Sequence, residues 1–281
     1  MNINNIIIDE IILNALREDV GTGDITTNTT IPEDKTVVGR FISKENGIIC
    51  GLDICERVFK ILDANIIFTA NKKDGEAVVT GEVIAKVSGN ARNVLTAERT
   101  AINLLQRMSG VATMTAKAVA QVIGTNAKIA DTRKTTPGLR VFEKYAVKTG
   151  GGTNHRFNLS DGILIKDNHI TAAGGIISAV ERARINAPHT LKIEVECETL
   201  KDVEDAITAK ADIIMLDNMS NEDMKKAVGY IGGRAVTEAS GNMGDKDLRA
   251  VAETGVDIIS IGALTHSVRS LDISLKFVLG E

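Results

Sequence analysis

The stretch LKIEVECETLKDVEDAITAKADIIMLDN, residues 191–218, decides the fold. It opens on a short apolar run at 191–195, passes through an amphipathic helical stretch at 199–209, and returns to a second apolar run at 212–216. A strand, a helix and a strand in immediate succession predict parallel strands joined by a crossover helix. Both runs end on acids, Glu196 in one case and Asp217-Asn218 in the other. Lys192, Glu194 and Glu196 alternate with apolar neighbours, so they share one strand face. That face is expected to be the interior of a barrel.

The same unit repeats outward from this stretch. Short apolar runs stand at 128–130, 163–165, 235–237 and 257–261, with helical stretches at 138–149, 171–186, 221–230 and 245–254. Each run ends in polar or glycine residues: Asp131-Thr132-Arg133-Lys134, Lys166-Asp167-Asn168-His169, Glu238-Ala239-Ser240-Gly241 and Gly262. Barrel enzymes carry their chemistry on the loops after the strands. A doubly wound sheet would concentrate such groups at one switch point, and neither G-x-G-x-x-G nor G-x-x-x-x-G-K-[ST] occurs in the chain. The expected class is therefore α/β, with an α/β barrel. Before it, a helix at 5–18 with Ile8, Ile11, Ile12, Ala15 and Leu16 on one face, β-like runs at 36–43, 66–69 and 76–88, and a helical stretch near 53–62 predict a small N-terminal α+β domain. Helices at 92–107 and 111–123 are expected on either side of a break at Ser109-Gly110. This sets the domains at 1–110 and 111–268, with the C-terminal tail 269–281 free to pack back on the first.

Composition narrows the function classes. The formal net charge is -4 and there is no tryptophan, which argues against nucleic acid as a partner. The N-terminus carries acids inside its apolar run and lacks a basic leader, so it does not read as a signal peptide. No stretch approaches the roughly 20 apolar residues that span a bilayer. Cys50, Cys55 and Cys197 are few and odd in number and read as buried reduced thiols of a cytoplasmic protein.

The chemistry-bearing residues cluster by position. Arg133 and Lys134 follow one strand, Lys166 ends another, and His155-Arg156 follow Gly150-Gly151-Gly152, where backbone can approach a ligand closely. Taken singly, basic residues are solvated surface. Gathered on one barrel mouth they would repel one another unless an anion joined them, and arginine forks suit carboxylate and phosphate. Glu196 and Asp217 end neighbouring strands. They read either as holders of a hydrated Mg²⁺ near phosphate oxygens or as counter-ions to Lys166 and its fellows. Ser240-Gly241 and Gly262-Ala263 follow late strands, where backbone N–H groups of barrels bind phosphate, although tight turns use the same residues. A strand-end lysine such as Lys166 is also compatible with a Schiff-base aldolase.

These motifs together resemble those of the quinolinate phosphoribosyltransferase family, also called nicotinate-nucleotide pyrophosphorylase (carboxylating). The matching stretches are LREDVGTGDITT (16–27), TAERTAINLLQRMSGVAT (96–113), DTRKTTPGLR (131–140), EKYAVKTGGGTNHRFNLSDGILIKDNH (143–169), EVEC (194–197), MLDN (215–218), EASGN (238–242) and ISIGALTHS (259–267). They run nearly end to end and in order, and the block 143–169 is the most specific.

The resemblance implies an N-terminal α/β domain followed by an incomplete α/β barrel of about seven strands. It implies a pentosyltransferase of NAD biosynthesis that joins quinolinate to 5-phosphoribosyl-1-pyrophosphate (PRPP), giving nicotinate mononucleotide, pyrophosphate and CO₂ with Mg²⁺. It implies a homodimer with shared active sites, with assembly into hexamers left open. By the same resemblance the quinolinate-binding arginine from the neighbouring chain falls on Arg99, a residue that pattern alone reads as helix surface. The basic ligands fall on Arg133, Lys134, His155, Arg156 and Lys166, the ribose and metal acids on Glu196 and Asp217, and the 5′-phosphate loops on Ser240-Gly241 and Gly262. Lys134, Lys166, Glu196 and Asp217 carry the catalytic roles. Three further readings stand beside this one: nicotinate phosphoribosyltransferase, a paralogue linked to molybdenum transport, and a non-catalytic anion-binding protein.

Overall fold

The structure, a computed structural model, describes residues 5–278; the first four residues of the expected N-terminal segment and residues 279–281 of the expected tail lie outside the described residues. Two compact units divide the chain. One takes in the chain as far as Ala116, 136–150 and the chain from Val268 onward, and the other takes in 117–135 and 151–267. The sequence reading divides the chain at residue 110 and leaves the tail 269–281 free to pack back on the first domain; in the structure the chain from Val268 onward, and also 136–150, belong with the first unit.

The first unit begins with α1 (Asn5–Val20), which buries Ile8, Ile12 and Leu16 at four-residue spacing on one face. The helix α2 (Ile25–Thr30) starts at Asp24, whose carboxylate accepts the Thr27 N–H at 2.9 Å and so satisfies an orphan donor of the first turn. There follow β1 (Thr36–Ser43), β2 (Gly47–Ile48), α3 (Leu52–Leu62), β3 (Ile67–Ala70), β4 (Ala77–Val78) and β5 (Val83–Asn90). The run expected at 76–88 is thus two strands, separated by a turn in which Gly81 takes φ 88°. Strand β5 pairs antiparallel with both β1 and β3. Phe41, Phe59 and Phe68 pack on one another with ring centroids 5.8 to 6.3 Å apart.

The helix α4 (Ala91–Val122) runs unbroken through Ser109-Gly110, which corrects the expected break. Both residues are there for contact. The Ser109 hydroxyl accepts the Cys50 N–H at 3.0 Å and donates to the Cys50 carbonyl at 3.2 Å. A Cβ on Gly110 would stand 2.3 Å from the Arg269 carbonyl oxygen.

Beyond α4 the chain forms β6 (Lys128–Ala130), α5 (Arg140–Thr149), β7 (Ile163–Ile165), α6 (Asp167–Ala173), α7 (Ile176–Asn186), β8 (Ile193–Cys197) and α8 (Leu200–Thr208). It continues through β9 (Ile213–Asp217), α9 (Asn221–Ile231), β10 (Val236–Ser240), α10 (Leu248–Ala252), β11 (Ile258–Ser260) and α11 (Ala263–His266) to β12 (Ile273–Phe277). Strand β12 pairs antiparallel with β1, giving the sheet order β12-β1-β5-β3 in the first unit. Helix α5 also belongs to that unit, where its buried Glu143 accepts two bonds from Arg107 at 2.7 and 3.0 Å and one from the Thr136 N–H at 3.0 Å.

The second unit holds a parallel sheet in the order β6-β11-β10-β9-β8-β7. From β7 to β11 each strand lies beside its successor, and β6 completes the row beside β11. Such an unbroken progression has no point of reversal, unlike a doubly wound sheet. Thr153 adds an isolated parallel bridge to Ala130. Single helical segments were expected where two occur: 171–186 divides at Gly174-Gly175, which take φ 85° and 122°, so α6 ends and α7 begins there. Strand β8 sits two residues later than its apolar run suggests, because Glu196 and Cys197 continue the ladder to Met215 and Leu216. Cys197 is wholly buried, as are Cys50 and Cys55, and burial pushes all three thiols up.

Candidate active site

At the C-terminal ends of the parallel strands lies a cavity of about 460 Å³. The strands deliver its lining in turn: Arg133 and Lys134 after β6, Lys166 after β7, Glu196 on β8, Asp217 on β9, Ser240 and Gly241 at the end of β10, and Ser260 on β11. His155 and Arg156 enter from the segment that begins at Thr153. Of the strand-end residues given a site role from sequence, Arg133, Lys134, Lys166, Glu196, Asp217, Ser240 and Gly241 line this cavity and Gly262 does not. A Cβ on Gly262 would meet the Lys134 Cδ at 3.0 Å, so its bareness makes room for the lysine stem. Arg99 is exposed on α4 and is not among the lining residues. Lys192, expected to share the interior face with Glu194 and Glu196, is exposed and precedes β8; Glu194 is buried and Glu196 lines the cavity.

The cations crowd one another. Burial, with the Arg133 charge adding to it, lowers the Arg156 guanidinium from its ordinary value. Its NH1 donates to the Gly162 carbonyl at 2.9 Å. The Lys166 ammonium pairs with the Glu196 carboxylate, and an ion-paired ammonium is not the neutral amine that Schiff-base formation needs. His155 lines the cavity with both ring nitrogens in use: Nδ1 accepts the Arg156 N–H at 2.7 Å, and Nε2 lies 3.0 Å from Glu194 and 3.6 Å from Glu238. The ring is therefore fastened within the protein.

The acids form two groups. Glu196, Glu198 and Asp217 bring carboxylate oxygens within 4.8 Å of one another at the rim. This hard oxygen set, partly exposed to water, suits a hydrated divalent cation. Asp217 also accepts a 2.7 Å bond from the Asn218 side-chain amide. Deeper in, Glu194 and Glu238 are buried. Burial and the neighbouring Glu194 charge push the Glu238 carboxyl up to about 7.

Glu238, Asn218 and Asn242 line the cavity without having been singled out for a role from sequence. The asparagines take positive φ, 56° and 51°, a conformation that asparagine tolerates better than most residues. Asn218 leaves no room beside Gly241: a Cβ there would fall 2.2 Å from the Asn218 Oδ1. An acid amid apolar strand residues in VTEAS was the available signal for Glu238.

Comparison with known proteins agrees with this geometry. The description "Quinolinate phosphoribosyl transferase, N-terminal domain" matches residues 24–109, and "Quinolinate phosphoribosyl transferase, C-terminal domain" matches 111–276. The probable nicotinate-nucleotide pyrophosphorylase [carboxylating] of Bacillus subtilis (strain 168) is 45% identical over 278 residues, covering 99% of this chain and 96% of the relative. The similarly described protein of Synechocystis sp. is 44% identical, covering 97% of this chain and 93% of its own length. The solved structure of the nicotinate-nucleotide pyrophosphorylase from Francisella tularensis aligns with a TM-score of 0.94 and 42% identity, over 99% of this chain and 98% of that one. Matched along nearly its whole length in both sequence and fold, the chain belongs to the quinolinate phosphoribosyl transferase family.

Proposed function

We propose that this protein transfers the phosphoribosyl group of PRPP to quinolinate with decarboxylation, yielding nicotinate mononucleotide, pyrophosphate and CO₂ for NAD biosynthesis. The observation that carries this reading is the set of basic side chains on one cavity: the cations Arg133, Lys134, Arg156 and Lys166, with His155 among them. Like charges held together in a concave site are stabilised by an anionic ligand. Quinolinate brings two carboxylates, and the second substrate brings a phosphate and a pyrophosphate.

In this account the guanidinium forks of Arg133 and Arg156 hold the quinolinate carboxylates, with Lys166 and the braced His155 beside them. Backbone N–H groups of Ser240-Gly241 and Gly262 receive the 5′-phosphate. The pyridine nitrogen forms a bond to ribose C1 as the bond from C1 to pyrophosphate breaks. Glu196 and Asp217 stabilise the positive charge that builds on the ribose, and Lys134 stabilises the departing pyrophosphate. The pyridinium so formed draws in the electrons released as the adjacent carboxylate leaves as CO₂, and a proton then takes its place on the ring. Mg²⁺, held by Glu196 and Asp217 directly or through water, would neutralise pyrophosphate charge.

The same reading makes the second unit an incomplete barrel of about seven strands and the working form a cytoplasmic homodimer. Arg99 of a neighbouring chain completes the quinolinate site. The family membership and the strand-end charges gathered on one cavity support it. The test is turnover by the purified protein with PRPP and Mg²⁺, offering quinolinate and nicotinate in parallel. Nicotinate mononucleotide from quinolinate alone is the expected result. Product from nicotinate alone would move the chain to monocarboxylate chemistry.

A further inference from the structure

At the cation-lined wall His155 meets two buried glutamates to which the proposed chemistry gives no role, Glu194 and Glu238. The two glutamates keep only 4% and 2% of their surface exposed, and the Oε1 atom of each is buried without a hydrogen-bond partner. Nitrogen and carboxylate oxygens of the trio lie within 4.8 Å of one another, close enough to suggest a metal. The ring chemistry argues otherwise. His155 Nδ1 accepts the Arg156 N–H at 2.7 Å, so its lone pair is committed there and a neutral ring carries its proton on Nε2. That proton points at Glu194, 3.0 Å away. Binding a cation through Nε2 would shift the proton to Nδ1, head-on against the Arg156 N–H.

The ring is therefore a strut between the sheet interior and the peptide of Arg156. The same segment is fastened at its start, where Asp131 accepts the His155 N–H at 2.9 Å and the Asn154 amide at 2.5 Å. We propose that Glu194 is a positioning residue: by accepting the His155 Nε2 proton it fixes the tautomer and plane of the ring, and through Nδ1 the ring fixes the peptide that aims the Arg156 guanidinium into the cavity. The strut rests on geometry alone; its consequence for substrate rests on the quinolinate reading above. Groups that orient a ligating side chain in this way commonly change binding strongly when removed.

The test has two arms on the full-length protein. In the first, ¹⁵N-histidine labelling and long-range proton–nitrogen correlation at fixed pH report the His155 tautomer, assigned by its loss in His155→Asn; the chain has only 4 histidines. The Nε2–H form is expected in the native protein and in Glu194→Gln, which keeps an oxygen acceptor. Glu194→Leu, which leaves Nε2 only the more distant Glu238 carboxylate, should weaken that preference. In the second arm, Glu194→Leu should raise KM for quinolinate at least about tenfold while KM for PRPP stays near its native value, with Glu194→Gln restoring most of the affinity. A native ring protonated on Nδ1 overturns the proposal, as does an unchanged quinolinate KM in a folded Glu194→Leu protein. Should Glu194→Leu fail to fold, the native and Gln spectra decide the strut. A protein that turned over no quinolinate would remove the functional reading and leave the tautomer to decide this one.

Discussion

Glu238 shows how a single residue couples the site to stability. Its carboxyl is pushed up to about 7 from an ordinary 4.5 by burial and by Glu194. The folded protein therefore binds a proton that the unfolded chain has released over the window between those values. Stability from this group is fully present below the unfolded value and is lost as pH rises through about 7. Glu238→Gln is expected to flatten that dependence, so that its melting temperature exceeds the native one at pH 8 and matches it more closely at pH 5. Parallel melting curves for the two proteins across that range would contradict the assignment. Residue-scale reading of the sequence located the strand-end cations and Glu196 and Asp217, because chain position alone fixes which residues leave a parallel strand. Glu194 was seen only as an inward-facing acid, and Glu238 and Asn218 only as polar residues at strand ends, without a role. Their roles arise from the neighbours that burial brings to them, and Asn218 in particular depends on a left-handed backbone packed against Gly241.

At the scale of elements, periodicity marked the strands of the parallel sheet to within three residues and failed mainly at glycine. Gly174-Gly175 ends a helix that looked continuous, and Gly110 sits inside a helix that looked broken. Local propensity treats these glycines alike, yet the difference between them lies in what stands nearby. Positive φ defines the first pair, whereas Gly110 lies in helical backbone with the Arg269 carbonyl where a Cβ would be, 2.3 Å away. Alanine in a helix interior ordinarily stabilises by about 1 kcal/mol relative to glycine. Gly110→Ala should instead destabilise, lowering the midpoint of urea unfolding with little change in its slope. A higher midpoint would show that the backbone near Arg269 yields without cost. The N-terminal sheet hid its fourth strand for a different reason: β12 is distant in sequence from β1, and only non-local pairing reveals it.

Across the whole molecule, the cations of the cavity come from separate βα loops of one sheet, so the site exists only when the fold is complete. Arg99 was read from resemblance and is not among the lining residues. Its proposed role requires a second chain, and mixing supplies the check. Arg99→Ala and Lys134→Ala proteins, each nearly inactive, should regain partial activity when their subunits are exchanged, because one site of each mixed dimer would then be intact. No recovery after verified exchange would remove the shared site. The central claim, that this cavity couples phosphoribosyl transfer to loss of a carboxylate, meets its most direct test in stoichiometry. With quinolinate labelled in the carboxylate beside the ring nitrogen, labelled CO₂, pyrophosphate and nicotinate mononucleotide should appear in equal amounts. Pyrophosphate released without labelled CO₂ would contradict it.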